Sequence, residues 1–150
     1  MEQFLIGLRD FAIEKVVSRT PPFFEARWTG KNTCPHCAGE KLRIKDSFWR
    51  TIRNISIHGR ASRLLIRCHK YRCEECGRYF NTRLAGIKVW SRTTELLKRN
   101  IFQAYNKGVT CKEIADEHRI GVASVERYYH QMMQHTSSHW ARSEERRVGK

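Results

Sequence analysis

Cys34-Pro35-His36-Cys37 and Cys73-Glu74-Glu75-Cys76, separated by the 35 residues from Ala38 to Arg72, are the two stretches that decide how this chain folds. In a CxxC turn two thiolates point at one ion while backbone amides stabilise their sulfurs, and two such turns complete a tetrahedral, all-thiolate zinc shell. A redox dithiol would come singly and in a thioredoxin-like βαβ setting, whereas here two pairs stand with little helical pattern between them. Cys34, Cys37, Cys73 and Cys76 are therefore the expected zinc ligands, with Gly77 and Gly39 supplying permissive backbone beside them. Four cysteines close the coordination shell, while catalytic zinc keeps one position open. The ion is expected to be structural, adding on the order of 10 kcal/mol to folding. Cys68, His69 and His36 compete for a ligand place on residue type alone, and Cys111 reads as a small helix residue.

Between the pairs, Trp49–Ile57 (WRTIRNISI) and Ala61–Cys73 (ASRLLIRCHKYRC) are rich in β-branched and alternating residues, and His58-Gly59-Arg60 forms the turn of an expected hairpin. Upstream, residues 1–20 carry apolar side chains at Phe4, Leu5, Leu8, Phe11, Ala12 and Val16, a spacing near the helical period, with strand open from Ile13. Thr20-Pro21-Pro22 stops any helix there, and Phe23–Trp28 reads as a short strand.

After Gly86 the period becomes helical. Thr94 can cap a helix with Leu97, Ile101, Ala104 and Tyr105 inward and Lys98, Arg99 and Asn100 outward, ended by Gly108. Thr110-Cys111-Lys112-Glu113 fits a capping box opening a second helix, Cys111 to His118, with Ile114 and Ala115 inward. A turn at Arg119-Ile120-Gly121 leads to a third helix from Val122 to about Met133. Two short helices joined so tightly predict a helix-turn-helix, whose second element presents its first residues to the major groove. Val122, Ala123, Ser124, Glu126 and Arg127 are then the expected DNA contacts. Arg127 can fork to guanine or grip phosphate, and Glu126 can accept from cytosine.

Composition agrees with that partner. Twenty-nine Lys and Arg against fifteen Asp and Glu give a net charge of +14, which favours a polyanion. Mean hydropathy is −0.65, and no apolar run approaches the ~20 residues of a membrane span. Arg9, Asp10, Glu14 and Lys15 interrupt the only early apolar patch before a signal peptide could form. The expected setting is cytoplasmic, bacterial and nucleoid-associated, with no membrane partner; in a reducing compartment cysteines serve as metal ligands rather than disulfides.

The fold class expected is α+β: a small β zinc ribbon with a four-cysteine site, followed by a three-helix helix-turn-helix domain. The expected division is an N-terminal helix/strand segment at 1–30, the ribbon at 31–86, the helix-turn-helix at 90–135 and a tail at 136–150. Arg142–Lys150 (RSEERRVGK) is what a common sequencing-adapter string encodes, so 142–150 is expected to be an assembly artefact.

CPHC, then YRCEECGRYF, then WSRTTELLKRNIFQAY, then VTCKEIADEHRIGVASVERYY, over residues from about 25 to 135, resembles the N-terminal part of insertion-sequence transposases of the ISL three family. The resemblance implies a zinc-binding and helix-turn-helix unit recognising the terminal inverted repeats of the element, followed in the family by a magnesium-dependent DDE domain that cuts and joins strands. It carries Cys34, Cys37, Cys73 and Cys76 over as zinc ligands and Ser124, Val125 and Arg127 as recognition-helix positions. The sequence departs from the family at Ala38 and Arg119, where glycine is common. The chain after Trp140 is too short for an RNase H-like fold, and none of Asp10, Asp46 and Asp116 sits where the triad would fall. No catalytic residue is therefore expected in this fragment, and any homodimer is expected to form through regions outside it. Two other functions use the same parts. One is a stand-alone zinc-ribbon and helix-turn-helix transcription regulator. The other is an RNA-binding zinc ribbon stacking bases on Trp49, Tyr79 or Trp90.

Overall fold

The structure, a computed structural model, describes residues 6–148, with side chains to residue 137. Met1–Leu96 and Leu97–Lys150 form two compact units.

The first unit is organised by one long hairpin. β3 (Leu42–Ile57) and β4 (Arg60–Cys73) pair antiparallel from Leu42↔Cys73 to Ile57↔Arg60. His58 and Gly59 between them have φ of 51° and 72°. Positive φ at both turn residues is the two-residue geometry whose twist matches that of the flanking strands. The hairpin thus turns where the sequence places it, but β3 begins seven residues before Trp49. Its early part, LRIKDSF, alternates charges over a solvent-facing surface, and this mixed charge hides a strand that long-range pairing imposes.

From Phe11 onward the N-terminal segment is strand rather than helix. Phe11–Arg19 forms β1, which pairs antiparallel with β2 (Pro22–Trp28), and the turn at Thr20-Pro21 joins the two. The reason lies in Ile13, Val16 and Val17, whose branched side chains suit a pleated surface, and in the free edge of β2. Phe4 and Leu5, two of the six apolar residues of the helical reading, lie outside the described residues. β2 adds in parallel to β4 from Phe23↔Arg63 to Ala26↔Ile66, and β5 (Tyr79–Asn81) pairs with β4 farther along. Residues 1–30 and 31–86 therefore share one five-stranded sheet of order β1-β2-β4-β3, with β5 beside β4.

β4 changes its buried face partway along. Ser62, Leu64, Ile66 and Cys68 are buried, and then Tyr71 and Cys73. Because side chains alternate along a strand, even and odd positions face opposite ways. The even face builds the main core with Ile6, Leu8, Phe11, Ala26, Ile52, Leu84 and Ile87. The odd face, at the far end, builds a second small core of Cys34, Tyr71, Cys73 and Phe80 with Leu42 against it. A buried polar pair supports the main core: Asn54 Nδ2 donates to the Ile6 carbonyl at 2.7 Å and its Oδ1 accepts from the Thr94 hydroxyl at 2.9 Å. Thr94 thus binds across to β3 with the hydroxyl that the sequence reading assigns to helix capping.

In the second unit α1 (Glu95–Asn106), whose first residues belong to unit one, is followed by α2 (Cys111–His118) and α3 (Val122–Val148). Gly108, at φ 93°, ends α1 as the sequence predicts, and the Val109 amide closes onto the Ala104 carbonyl. Lys98 is not outward: it is buried, its stem lying in the helical core and its ammonium 5.5 Å from the centre of the Tyr128 ring. α3 runs well past Met133, into residues whose side chains lie outside the described ones. The tail reading for 142–150 concerns those residues. Among the described residues no helix is long and apolar enough to cross a membrane.

Candidate metal centre and nucleic-acid interface

The hairpin register brings the two CxxC turns together. Leu42 opposite Cys73 sets the first turn beside the second, and the Glu74 amide donates to the Lys41 carbonyl at 2.9 Å. Each turn has the same backbone wiring. The Ala38 amide donates to the Cys34 carbonyl and the Cys34 amide to the Gly39 carbonyl; likewise Gly77 donates to Cys73 and Cys73 to Arg78, all at 2.9 Å. That wiring needs a left-handed residue just after each pair, supplied by Gly77 at φ 74° and by Ala38 at φ 59°. Ala38 adopts the conformation although it carries a side chain. Gly39, the position expected to be permissive, is small for a different reason: a Cβ there would lie 3.2 Å from Cys37 Sγ and on top of the Glu75 carboxylate.

The four sulfurs lie within 4.8 Å of one another, with Cys34 to Cys76 at 3.6 Å and Cys37 to Cys73 at 3.5 Å. These distances are far beyond a disulfide bond, and all six cysteines are free. A tetrahedral ion with Zn–S of about 2.3 Å sets its sulfurs about 3.8 Å apart, so the cluster has the size of a zinc shell. Its electrostatics agree. The Cys34 thiol is drawn down to about 7: burial opposes ionisation, but the amides of His36 and Cys37 and the sulfurs of Cys76 and Cys37 outweigh it. Cys37 is pushed up to about 12: the Gly39 amide favours its thiolate, but Cys73, burial, Cys76 and Cys34 outweigh that amide. Sulfurs this close share protons until a cation replaces them, and a dication does so for all four.

The competing ligands fall elsewhere. Cys68 sits in the main core, where burial raises its thiol and Arg50 opposes the rise. His69 Nδ1 is 2.8 Å from the Ser47 hydroxyl, and His36 lies against Arg78 at 3.3 Å. Among the described residues, the four cysteines are the group that converges as a metal site.

Residues 31–76, just under a third of the chain, match the family model described as the zinc-finger of transposase IS204/IS1001/IS1096/IS1165. The segment is an ISL3-family zinc ribbon. The ISL3 ribbon binds structural zinc and marks the chain as carrying a transposase-associated DNA-binding module. No curated protein and no solved structure was found to match.

In the helical unit the expected capping box is present: Thr110 Oγ1 accepts from the Glu113 amide at 3.2 Å, and the Thr110 amide donates to Glu113 Oε2 at 3.0 Å. Arg119 ends α2 at φ 50°, ψ 50°, and its amide donates to the Ala115 carbonyl. As with Ala38, a side-chain-bearing residue takes the left-handed position that glycine commonly fills. At the start of α3, Val122, Ala123, Glu126 and Arg127 are exposed and Ser124 is half-buried. Val125, carried over by the resemblance as a recognition-helix position, is fully buried and packs inward with Tyr128. Arg127 Nη2 lies 3.4 Å from Ser124 Oγ and its guanidinium 5.5 Å from the Tyr128 ring centre, so the side chain folds back on its own helix.

One feature the sequence pattern does not disclose is a basic groove in the first unit, lined in part by Arg50, Lys70, Arg83 and Lys88. These residues are spread over thirty-nine positions of sequence, and only the sheet gathers them.

Proposed function

We propose that this chain recognises the terminal inverted repeats of an insertion sequence in double-stranded DNA, with the start of α3 entering the major groove and the zinc ribbon supplying a second basic surface. The observation that carries the reading is the capped helix, left-handed turn and following helix. Together they leave Val122, Ala123, Glu126 and Arg127 on one open face while Val125 and Tyr128 anchor the other. Arg127 can release its contacts with Ser124 and Tyr128 to grip guanine or phosphate, and Glu126 can accept from cytosine. Strand cutting and joining belong, in this reading, to the catalytic domain of the parent transposase, to which this segment contributes end recognition. A homodimer formed through other regions of the parent would bring two such modules to the two element ends. The net charge of +14 supplies the sequence-independent part of the affinity, which falls steeply with salt.

Selection of bound sequences from a random duplex pool, with zinc present, tests this. Convergence on one motif is expected, and Arg127→Ala weakens binding to it by about 1–3 kcal/mol if the arginine reads a base. A pool that never converges, or binding indifferent to sequence, refutes the reading.

A further inference from the structure

Beside the zinc ribbon, in the same unit, lies a groove of about 640 Å³. Its floor is apolar, made by Phe48, Leu84 and Ile87 from the margin of the main core. Arg50, Lys70, Arg83 and Lys88 stand around it with His36, and no carboxylate lines it. A second cavity on the same unit, of about 490 Å³, includes Glu14 and Glu25 in its wall. The absence of acid distinguishes this groove from that cavity, and with four cations around it the groove selects for an anion.

The rim narrows the choice of anion. Trp90 is 84% exposed and Tyr79 53%. Trp90 also has φ 67°, a conformation unfavourable for a side chain of its size. An indole held in water by a strained backbone has both hydration and conformational energy against it, and that combination points to a contact completed by something else. The segment is held firmly. Arg50 Nη2 donates to the Ser91 carbonyl at 2.5 Å, the Ser91 amide to the Lys88 carbonyl at 3.0 Å, and the Arg53 amide to the Arg92 carbonyl at 2.8 Å. The backbone that carries Trp90 is thus held in place, with the indole exposed at the rim of a basic trough. Such a site takes a ligand that offers a flat π-face and a negative charge a few ångströms away, which describes a nucleotide whose base is unpaired. A base within an intact duplex has its faces already stacked and cannot use the indole.

We infer that this groove binds an unpaired nucleotide of a DNA strand, its base stacked on Trp90 and its phosphate among Lys70, Arg83 and Lys88. The inference rests on the proposed reading of the chain as a DNA-binding module and deepens it: the substrate is DNA with a locally opened or single-stranded end, held at two separate places on the polypeptide.

The test uses the full chain with zinc and four probes: a blunt duplex carrying the selected motif, the same duplex with a short single-stranded DNA extension, the same extension in RNA, and a free mononucleotide. The DNA extension is expected to tighten binding by about fivefold or more, the scale of one stacked base. Trp90→Ala removes that gain while leaving blunt-duplex affinity unchanged, and Trp90→Phe retains much of it. Lys88→Gln lowers the slope of log affinity against log salt by about 0.7 for the extended probe. Arg127→Ala acts the other way, weakening both duplexes and preserving the gain. The inference is overturned if the extension adds nothing, if Trp90→Ala weakens blunt and extended duplexes alike, if the RNA extension is preferred, or if the mononucleotide competes as well as the extended duplex. Failure of the parent reading looks different, since the blunt duplex would then be ignored from the start.

Discussion

Replacing Cys73 by serine, or chelating the zinc, should dissolve one end of the sheet and leave the rest standing. Cys73 is fully buried, pairs with Leu42 in the hairpin register and is one of the four sulfurs. The small core around it contains only Tyr71, Phe80 and part of Leu42 besides cysteines. Burial of such side chains stabilises by about 1.5–3 kcal/mol apiece, whereas a structural zinc contributes about 10–16 kcal/mol in small zinc-binding peptides. At this end the metal outweighs the apolar contacts, and ordering each residue costs about 1–2 kcal/mol of backbone entropy besides. The main core lies on the other face of β4 and includes none of the four ligands. Amide hydrogen exchange resolved along the chain is the assay. After chelation, protection should vanish at Cys34–Leu42 and Tyr71–Thr82 while Ile52, Leu64 and Ile66 and the helices keep theirs. Loss of the whole sheet in one cooperative step, or retention of full protection without metal, refutes the argument that two opposed cores stabilise β4 independently.

Thr110→Ala removes the hydroxyl that accepts from the Glu113 amide. It should cost the helical unit about 1 kcal/mol, lowering its melting midpoint by about 4–8 °C. Glu113 is held below its ordinary value by the Thr110 amide and hydroxyl, so its share of the cap is present above the unfolded value of about 4.5 and is lost as pH falls through the lower folded one; melts at neutral and acid pH check this. His118 reports in the same unit: burial lowers its imidazole from 6.5, opposed by Glu117, and its Nδ1 is a buried atom without a hydrogen-bond partner. The unfolded chain therefore binds the proton more readily. Stability is full above about pH 6.5 and declines below it until the folded imidazole protonates as well. Thermal melts of the wild type and of His118→Gln from pH 7.5 to 5 should diverge in slope, and parallel curves would remove His118 as the cause.

The parts of this fold readable from sequence are those whose signals are local. The capping box needs only residues 110 to 113, and the two-residue turn only His58 and Gly59. The CxxC pairs announce themselves by spacing. What escaped reading depends on partners far along the chain. Residues 1–20 carry enough helical periodicity to mislead at Phe11 and Ala12, with strand left open only from Ile13; Phe11–Arg19 is a strand because it pairs with β2, which is itself held on the distant β4. Lys98 carries a charge that reads as outward, yet its long apolar stem fills space in the helical core and its ammonium reaches the Tyr128 ring. Ala38 and Arg119 depart from glycine in sequence without departing from the left-handed backbone, because the hydrogen bonds on either side over-determine both turns. The groove basic residues come from β3, β4 and the segment after β5, so no window of sequence contains them.

A strand that switches its buried face midway needs something other than a single apolar core to hold its far end, and that requirement explains where the zinc sits. Past Cys68, the even side of β4 carries Lys70 and Arg72, whose charged groups lie 5.5 and 6.0 Å from the centre of the Tyr79 ring. Opposite them, β3 sets Arg43 against Arg72 and Asp46 against Lys70, with Lys45 in the register shift between. The four cations outnumber Asp46 on this end of the hairpin, and an apolar core over it would have to cover the same charged side chains from solvent. A four-cysteine zinc site fixes the end from its tip instead, leaving the cations exposed. Tyr79 follows the second cysteine pair by three residues, and His36 lies within the first; both line the groove. The metal thus sets the geometry of a cationic surface without touching a ligand, and a non-catalytic ion becomes a determinant of what the surface can bind.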